Sequence, residues 1–260
     1  MMQVTKHIHI SIVLVILTIF LVSKPANHAL AETLTFATTN FAPFSIHNDL
    51  TRKNAGFIIE IVHEAFLRHG YNVRFQFLPT ERAQRLARSG VVTGSFQSTK
   101  PKEDKEQFFY SRPFNNLSVS YFTLKNYNGP TLFDMEDGRR VRIATTLGSP
   151  LEQILTQLRI SHATVRSEEF GLKLLMGGRI DAFLAYTLPT EWVYQRLEIG
   201  DSLPEIKAEE VALYPFYLTI HKNNKNGAKL IRQFNDSISI MKRDGSYHHI
   251  MISYVNYLKP

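Results

Sequence analysis

The chain has 260 residues, a formal net charge of +7 and no cysteine. This length allows one large domain or two smaller ones, and the absence of cysteine excludes disulfides, thiolate metal sites and a cysteine nucleophile. The basic residues are mixed with acids, as in Lys100–Glu106 (KPKEDKE), which is typical of a solvated surface and argues against a nucleic-acid-binding face.

The N-terminus has the layout of a secretory signal peptide. Lys6 supplies a positive charge, the stretch from Ile10 to Val22 is almost entirely apolar, and Ala29-Leu30-Ala31 offers a cleavage site before Glu32. The apolar run is shorter than the roughly 20 residues that a membrane span needs. We therefore predict that residues 1–31 are removed and that the mature protein is periplasmic; an uncleaved N-terminal anchor is the alternative.

The mature chain opens with strands and helices in alternation. A strand with alternating apolar residues is followed by a proline-containing loop, and the next helix shows apolar residues at helical spacing before a capping glycine. A β-α-β-α order of this kind predicts an α/β domain with a largely parallel sheet. The predicted elements are a strand over Leu34–Ala37, the loop Phe41–Phe44, a helix over Phe57–His69, a strand over Val73–Leu78 and a helix over Thr80–Arg88.

The same alternation starts afresh after a strand over Ser118–Leu124 and a polar linker over Lys125–Pro130. Strands are predicted over Val141–Ala144, Ala163–Arg166 and Ala182–Tyr186, and helices over Pro150–Leu158, Ser167–Met176 and Thr187–Leu197. An extended segment over Val211–Ile220 and helices over Ala228–Asp244 and Ser246–Tyr257 complete the chain.

Two similar α/β units therefore follow one another, and the second appears as an insertion in the first. We predict a signal peptide over 1–31, a first lobe over 32–124, an inserted second lobe over 125–215 and a return segment of the first lobe over 216–260. Linkers near residues 125 and 215 would form a two-strand hinge. The cleft between two hinged lobes is a natural ligand site.

Four local patterns carry a resemblance to a known family. An aromatic-x-Pro-Phe loop follows the first strand, a Gly-led apolar helix start comes next, an aromatic-Ser-x-Pro-aromatic segment precedes the hinge, and a G-R-x-D-A turn lies in the second lobe. In this order and spacing the chain resembles the family 3 bacterial solute-binding proteins, the periplasmic components of amino-acid-type ABC transporters, over about residues 33–255. The four patterns are Phe41–Phe44, Gly56–Ile61, Tyr110–Phe114 and Gly178–Ala182.

The resemblance implies a type II periplasmic binding protein, in which two α/β lobes joined by a two-strand hinge enclose a ligand cleft. It implies capture of a small molecule by hinge closure and delivery to an ABC permease, with no cofactor, no metal and no catalysis, by a protein that we expect to be a monomer. A ligand-sensing subunit for a membrane signalling receptor is the alternative. A dehydratase-type enzyme is less favoured, and Glu60, Glu81 and Asp104 are its candidate carboxylates.

The chain departs from the family pattern at both anchors for an amino acid. The position of the family arginine that holds the ligand carboxylate falls on Asp104, and no arginine lies between Gly94 and Tyr110. The position of the acid that holds the ligand ammonium falls on Tyr186. A bidentate fork for a carboxylate is therefore missing, and we expect a small polar or aromatic ligand rather than an ordinary α-amino acid.

Ten residues are predicted to bind this ligand. Three aromatic side chains would line the cleft, one arginine would meet an anionic group, and one polar loop would come from each lobe. The second-lobe loop leads into a helix, whose free N–H groups would favour an anionic or carbonyl atom; simple capping of that helix is the alternative. The ten are Phe41, Phe44 and Tyr186, then Arg82, then Gln97, Ser98 and Thr99, and finally Thr146, Gly148 and Ser149.

Overall fold

The computed structural model describes residues 32–47, 55–97, 106–130, 141–197 and 203–255. The predicted signal peptide lies outside these described residues, as do Ser98, Thr99 and Asp104. All elements of the fold belong to one compact unit, Thr33–Pro260. Within the described part of the chain, no helix has the length and apolar character needed to cross a membrane.

The described residues form nine strands and seven helices. The strands are β1 (Thr33–Thr38), β2 (Asn72–Phe77), β3 (Gly94–Gln97), β4 (Phe108–Tyr110), β5 (Asn115–Leu124), β6 (Ile143–Thr146), β7 (His162–Val165), β8 (Ala182–Tyr186) and β9 (Ile206–His221). The helices are α1 (Phe57–Leu67), α2 (Thr80–Arg88), α3 (Pro150–Gln157), α4 (Glu168–Met176), α5 (Thr187–Tyr194), α6 (Gly227–Arg243) and α7 (Ser246–Val255).

The strands join in the order β2-β1-β3-β9-β5-β8-β6-β7, with β4 also paired to β9. In the first lobe, β1 runs parallel to β2 and β3, and the C-terminal end of β9 is antiparallel to β3 and β4. Helices α1 and α6 bury their apolar faces against these strands, and the Ser237 hydroxyl ties them together by donating to the Ala65 carbonyl at 2.8 Å. The centre of this core is a stack of phenylalanines that includes Phe36, Phe66 and Phe234.

The second lobe repeats this design with β6, β7 and β8 in parallel. Strand β8 is buried on both faces, because Leu184 packs in the cluster beside α3 and Phe183 packs in the cluster beside α4. The Gly-Arg-x-Asp-Ala turn orients the strand start, since Asp181 accepts hydrogen bonds from the Arg142 guanidinium at 2.6 and 3.0 Å and from its N–H at 2.8 Å. The Arg142 guanidinium holds the pKa of Asp181 below its ordinary value.

Two antiparallel strands, β5 and β9, connect the lobes. Strand β9 is 16 residues long, pairs with β5 from Ile206 to Phe216 and then continues into the first lobe. Along β5 the side chains change core at one place, because Leu117 packs in the first-lobe core and Val119 in the second. The side chains therefore change core near Ser118 in β5 and near Tyr214 in β9, and the lobe boundaries at residues 125 and 215 stay predictions.

Most elements predicted from periodicity are confirmed. The predicted bounds of α2 and β8 match the structure, and Ser167 caps α4 as predicted, by accepting from the Phe170 N–H at 3.3 Å. The short strands β3 and β4 were not predicted, because four and three residues are too few to show a period of two. The strand predicted over Val211–Ile220 is longer at both ends.

Candidate functional site

The carboxyl edge of the first-lobe sheet begins where β1 ends. The chain turns through Phe41–Phe44 and is bound there by the N-terminus of α1, because the N–H groups of Phe57 and Ile58 donate to the carbonyls of Pro43 and Phe44 at 3.1 and 3.0 Å. These N–H groups have no partner inside the helix. The free donors of α1 therefore fix the aromatic loop against the first-lobe core.

Gly56 allows this close approach between loop and helix. Its φ of 102° lies in the region that favours glycine, and an added Cβ would come within 2.5 Å of the Phe44 carbonyl oxygen. Its N–H donates at 3.0 Å to the hydroxyl of Tyr254, which itself donates to the carboxylate of Glu60. The last helix of the chain thus holds the aromatic loop in place.

A cavity of about 140 Å³ lies behind this loop, and every residue lining it comes from the first lobe. It lies between α2 and the sheet, where Ala83 and Ala87 leave room that larger side chains would fill. Five phenylalanine rings contribute to its wall: Phe41, Phe44, Phe96, Phe108 and Phe216. Its volume is comparable to that of a cavity that holds a single benzene ring.

Two hydroxyl groups in the cavity wall are paired with protein atoms at ordinary hydrogen-bond distances. Ser45 donates to the Thr39 carbonyl at 2.7 Å, and Ser95 shares a hydrogen bond with the Thr219 hydroxyl at 3.1 Å. The hydroxyls of Thr38 and Thr80 have longer contacts of 3.5 Å with Thr39, so the wall combines aromatic rings with polar groups. Phe41 and Phe44 stack with their centroids 5.1 Å apart, and Phe44 is only 3% exposed.

The corresponding edge of the second lobe is formed by the ends of β6 and β8. These strands are parallel and adjacent, so the loop after Thr146 and the side chain of Tyr186 lie at the same edge. Tyr186 packs against the cores of both lobes, and its ring meets that of Phe41 edge-on with centroids 5.6 Å apart. The ring contact brings the two carboxyl edges together.

A chain of hydroxyl groups holds the segment beside Tyr186. Ser120 hydrogen-bonds to Thr187 at 2.7 Å, Thr187 donates to Ser118 at 2.9 Å, and Ser118 donates to the carboxylate of Glu210. The first pair lies on β5 and α5, and the last residue lies on β9. Tyr186 is therefore fixed to both connecting strands at the crossing between the lobes.

The second-lobe loop does not offer the free donors expected of it. The Gly148 N–H donates to the Glu152 carboxylate at 2.5 Å, and the Ser149 hydroxyl accepts from the Glu152 N–H at 3.2 Å. These two reciprocal hydrogen bonds form a variant of the capping box. The hydrogen bonds of this loop are therefore those of a helix cap, which the sequence analysis gave as the alternative to ligand binding. Thr146 donates to the Glu168 carboxylate at 3.4 Å.

The remaining predicted site residues differ in how close they lie to the cavity and the sheet edge. Gln97 ends β3 opposite Tyr217, at the carboxyl edge that also carries the Phe41 loop. Arg82 is exposed and does not line the cavity, whereas Arg88, one helical turn and a half further along α2, does. Ser98 and Thr99 lie outside the described residues.

Sequence reasoning missed part of this site for identifiable reasons. The Ser-x-x-Glu spacing of Ser149 and Glu152 is a recognisable capping signal and points to the internal carboxylate. The alanines at i and i+4 on α2, Ala83 and Ala87, signal a narrow helix face. No local signal indicates that Phe108 and Phe216 line a common cavity, because strand pairing between distant segments brings them there.

Two α/β lobes, two connecting strands and facing carboxyl edges define a type II periplasmic binding protein. A sequence model of the bacterial extracellular solute-binding proteins, family 3, matches residues 34–257. The chain therefore belongs to this family. No curated protein matches the chain.

Solved structures share the fold at low sequence identity. A histidine kinase sensor domain with similarity to periplasmic binding proteins is 15% identical, with a TM-score of 0.67 over 89% of this chain and 98% of that one. A periplasmic binding protein of an arginine transport system from Legionella pneumophila is 18% identical, with a TM-score of 0.64 over 87% and 100%. An ancestral amino-acid-binding protein, a precursor of cyclohexadienyl dehydratase, is 20% identical, with a TM-score of 0.63 over 85% and 94%.

Proposed function

We propose that the protein is an exported periplasmic solute-binding protein that captures a small molecule carrying a compact ring and presents it to an ABC permease. The observation that carries this proposal is the contact between Phe41 and Tyr186 at the facing edges, beside a cavity walled by phenylalanines. Aromatic walls favour a ring through stacking and edge-on contacts. The ligand would enter between the edges and place its ring against the first lobe.

Hinge closure is the proposed mechanism of capture. Among the described residues, the lobes are connected by two strands, whose side chains change core near Ser118 and near residue 215. A ligand that contacts both edges binds the closed arrangement more tightly than the open one and therefore shifts the population toward closure. A membrane partner would recognise the closed shape.

The chemistry of the site argues against an ordinary α-amino acid. Tyr186 stands where the family acid is expected, and its phenol carries no charge to pair with an ammonium group. The first-lobe cavity is lined by rings and by uncharged polar side chains, with Arg88 as its one charged lining residue among those described. The ligand anchors of an amino-acid binder would have to be supplied elsewhere.

A sensing role is the second candidate function. The observation that favours it is the similarity to a histidine kinase sensor domain, which this chain covers over 98% of its length. The same closure that presents a ligand to a permease can present it to a receptor. The binding step is common to both roles, and the membrane partner distinguishes them.

Catalysis is not part of the proposal. Glu60, one candidate carboxylate, accepts the Tyr254 hydroxyl in the first-lobe interior beside α7, and Glu81 is exposed on α2. A general acid or base needs to reach the reacting atom. Neither carboxylate lines the cavity.

The proposal is tested by a thermal-shift screen of the mature protein followed by small-angle scattering. The screen covers amino acids, organic acids, aromatic amines, aromatic carboxylates and short peptides, because a ligand that binds only the folded state raises Tm. We expect a ring compound to raise Tm and to reduce the radius of gyration. An unchanged scattering profile at saturating ligand would contradict hinge closure, and preferential binding of standard amino acids would contradict the proposed ligand.

The proposed export has its own test. We expect the protein isolated from the periplasm to begin at Glu32, with residues 1–31 removed. N-terminal sequencing or intact mass measures this directly. A protein that retains Met1 and stays with the membrane fraction would instead be anchored.

A further inference from the structure

We propose that α5 braces the two lobes against each other, and that Leu188 and Trp192 stabilise the closed arrangement without touching the ligand. This inference rests on the proposed hinge closure and deepens it. It names the side chains that set how much of the protein is closed before any ligand arrives.

Helix α5 belongs to the second lobe. It lies between β8 and β9 in the chain and packs against α4, β5 and β8. Pro189 and Thr190 are buried in these contacts, and the hydroxyl of Tyr194, at the end of the helix, donates to the Pro204 carbonyl at 3.1 Å. A helix that is held in this way moves with the second lobe.

One face of α5 nevertheless packs against the other lobe. Leu188 and Trp192 are four residues apart, so their side chains lie on the same face of the helix. Both are partly buried against the first-lobe core, and among the described residues neither packs in the two second-lobe clusters. The first lobe therefore covers the apolar face of a second-lobe helix.

The Trp192 ring is oriented by its own helix. The guanidinium carbon of Arg196 lies 3.4 Å from the centroid of the indole ring, and the guanidinium donates to the Trp192 carbonyl at 3.0 Å. A cation held over the ring face restricts the rotation of the ring. Little side-chain freedom is then lost when the first lobe meets the ring, so the contact favours closure more effectively.

The packing of α5 accompanies the closed arrangement of the cleft. Tyr186, directly before α5, meets Phe41 edge-on, and Trp192 lies about 9 Å further along the helix by its rise per residue. A rotation of the lobes about the crossings near Ser118 and Tyr214 would displace α5 from the first-lobe core. Contacts that exist in only one of two arrangements shift the equilibrium toward that arrangement.

The brace lies outside the proposed ligand site. The first-lobe cavity is lined by first-lobe residues alone, so neither Leu188 nor Trp192 contributes to its wall. Their effect on affinity would be indirect. A ligand that binds only the closed protein has an apparent affinity in proportion to the closed fraction, and the brace raises that fraction.

The test measures the ratio of closed to open protein with no ligand present. Because the chain has no cysteine, Arg85→Cys on α2 and Thr164→Cys on β7 attach one spin label to an exposed position of each lobe. Pulsed electron paramagnetic resonance then gives the distances between the labels, and the closed population is the one whose distance matches the described structure. We expect Trp192→Ala to lower the closed-to-open ratio by at least about fivefold, the equivalent of one aromatic contact.

The matched control removes an aromatic ring elsewhere in the same lobe. Phe170 on α4 is 52% exposed and packs in none of the core clusters of the described residues, so Phe170→Ala should leave the ratio at the wild-type value. Trp192→Phe keeps a ring on the bracing face and should retain most of the closed population. Should Trp192→Ala fail to fold, Leu188→Ala removes the smaller part of the contact and should shift the ratio in the same direction.

The possible results separate the brace from the hinge. If the wild type shows both populations and their ratio is unchanged in Trp192→Ala and Leu188→Ala, the brace is wrong and hinge closure stands. A shift of these variants toward the closed population would also overturn the brace. So would a single distance in the wild type and in every variant, and the scattering experiment with ligand would then decide hinge closure separately.

Discussion

The two edges of the cleft are built on the same plan and present opposite chemistry. Each follows the carboxyl ends of parallel strands. The first-lobe edge is a set of rings held by backbone hydrogen bonds from α1, and the second-lobe edge is a polar loop whose donors are paired within the lobe, two of them with carboxylates. The comparison shows that two edges of the same topology can expose aromatic rings in one lobe and internally paired polar groups in the other.

In a ligand cleft, such a difference would assign the recognition of shape and the recognition of charge to different lobes. Apolar contacts to a ring depend on the volume and outline of the cavity, and mutating them changes affinity by packing. Charged groups at a rim discriminate between partners that have the same shape. The variants below are ordered by the size of the expected effect, and all but the Tyr186 pair compare a position in one lobe with a position in the other.

The largest effect is expected from glycine replacements. Gly56→Ala forces a Cβ to within 2.5 Å of the Phe44 carbonyl at a φ of 102°, so we expect a loss in unfolding free energy of about 3 kcal/mol or more. Gly148→Ala in the second lobe has a φ of 72° and no atom within 4 Å, so only the conformational cost of about 1–2 kcal/mol applies. Urea unfolding measures both. Equal losses would show that contact with Phe44 is not what requires Gly56.

The second prediction fills the cavity. Ala83→Leu places a larger side chain between α2 and the sheet, and we expect the affinity for a ring compound to fall by at least about tenfold, or about 1.4 kcal/mol. Ala163→Leu, at an exposed position on β7 of the second lobe, is the control and should leave affinity unchanged. Calorimetric titration distinguishes them. Unchanged binding by the Ala83 variant would place the ligand outside the cavity.

The third prediction removes the ring that meets Phe41. Tyr186→Ala should weaken binding by about 1 kcal/mol, because an aromatic contact across the edges is lost. Tyr186→Phe keeps the ring and should preserve most of the affinity. Calorimetric titration measures both variants. Equal affinity in the alanine variant would exclude Tyr186 from the site.

The smallest effect concerns acid stability. Hydrogen bonds from Ser246 and Arg68 hold the pKa of Asp244 at about 2, below the ordinary value of 3.8. A lowered folded-state pKa stabilises the protein above about pH 4, and this contribution is lost as the pH falls toward 2. Asp244→Asn should therefore lower Tm by about 1–2 °C at neutral pH and flatten the dependence of Tm on pH between 4 and 2. A variant whose Tm depends on pH between 4 and 2 just as the wild type does would contradict the lowered pKa of Asp244.

Asp181 provides the second-lobe comparison for that measurement. Its pKa is also lowered, by the hydrogen bonds from the Arg142 guanidinium. Asp181→Asn should change the dependence of Tm on pH in the same direction as Asp244→Asn. If the two variants change the dependence of Tm on pH in opposite directions, the ion pairs of the two lobes do not contribute to acid stability in the same way.

Much of the fold is predictable from the sequence because the elements are locally encoded. The spacing of Ile58, Ile61 and Val62 predicts α1, and the apolar run Ala182–Tyr186 predicts a strand. The family patterns then predict two lobes and a hinge. They also predict Phe41 and Tyr186 as walls of the cleft, whereas the contact between the two rings is seen only in the structure.

The remaining features depend on contacts between distant segments. The wall of the cavity combines Phe108 and Phe216, which strand pairing alone brings near Phe44. The crossing near Ser118 depends on which core each side chain of β5 enters, and the linker signal at Lys125–Pro130 lies beyond it. Capping of α3 was one of two alternatives for the second-lobe loop, and the Ser-x-x-Glu spacing of Ser149 and Glu152 is the sequence signal that favours it.

The position of β9 in the chain sets the order in which the protein can be completed. This strand joins both lobes, yet it is encoded after the other eight described strands. A chain that emerges from the ribosome from its N-terminus cannot complete the first-lobe sheet until His221 is available, because β3 and β4 both pair with the end of β9. Synthesis alone therefore keeps the first lobe open until most of the chain exists, which suits a protein that would cross a membrane before it folds.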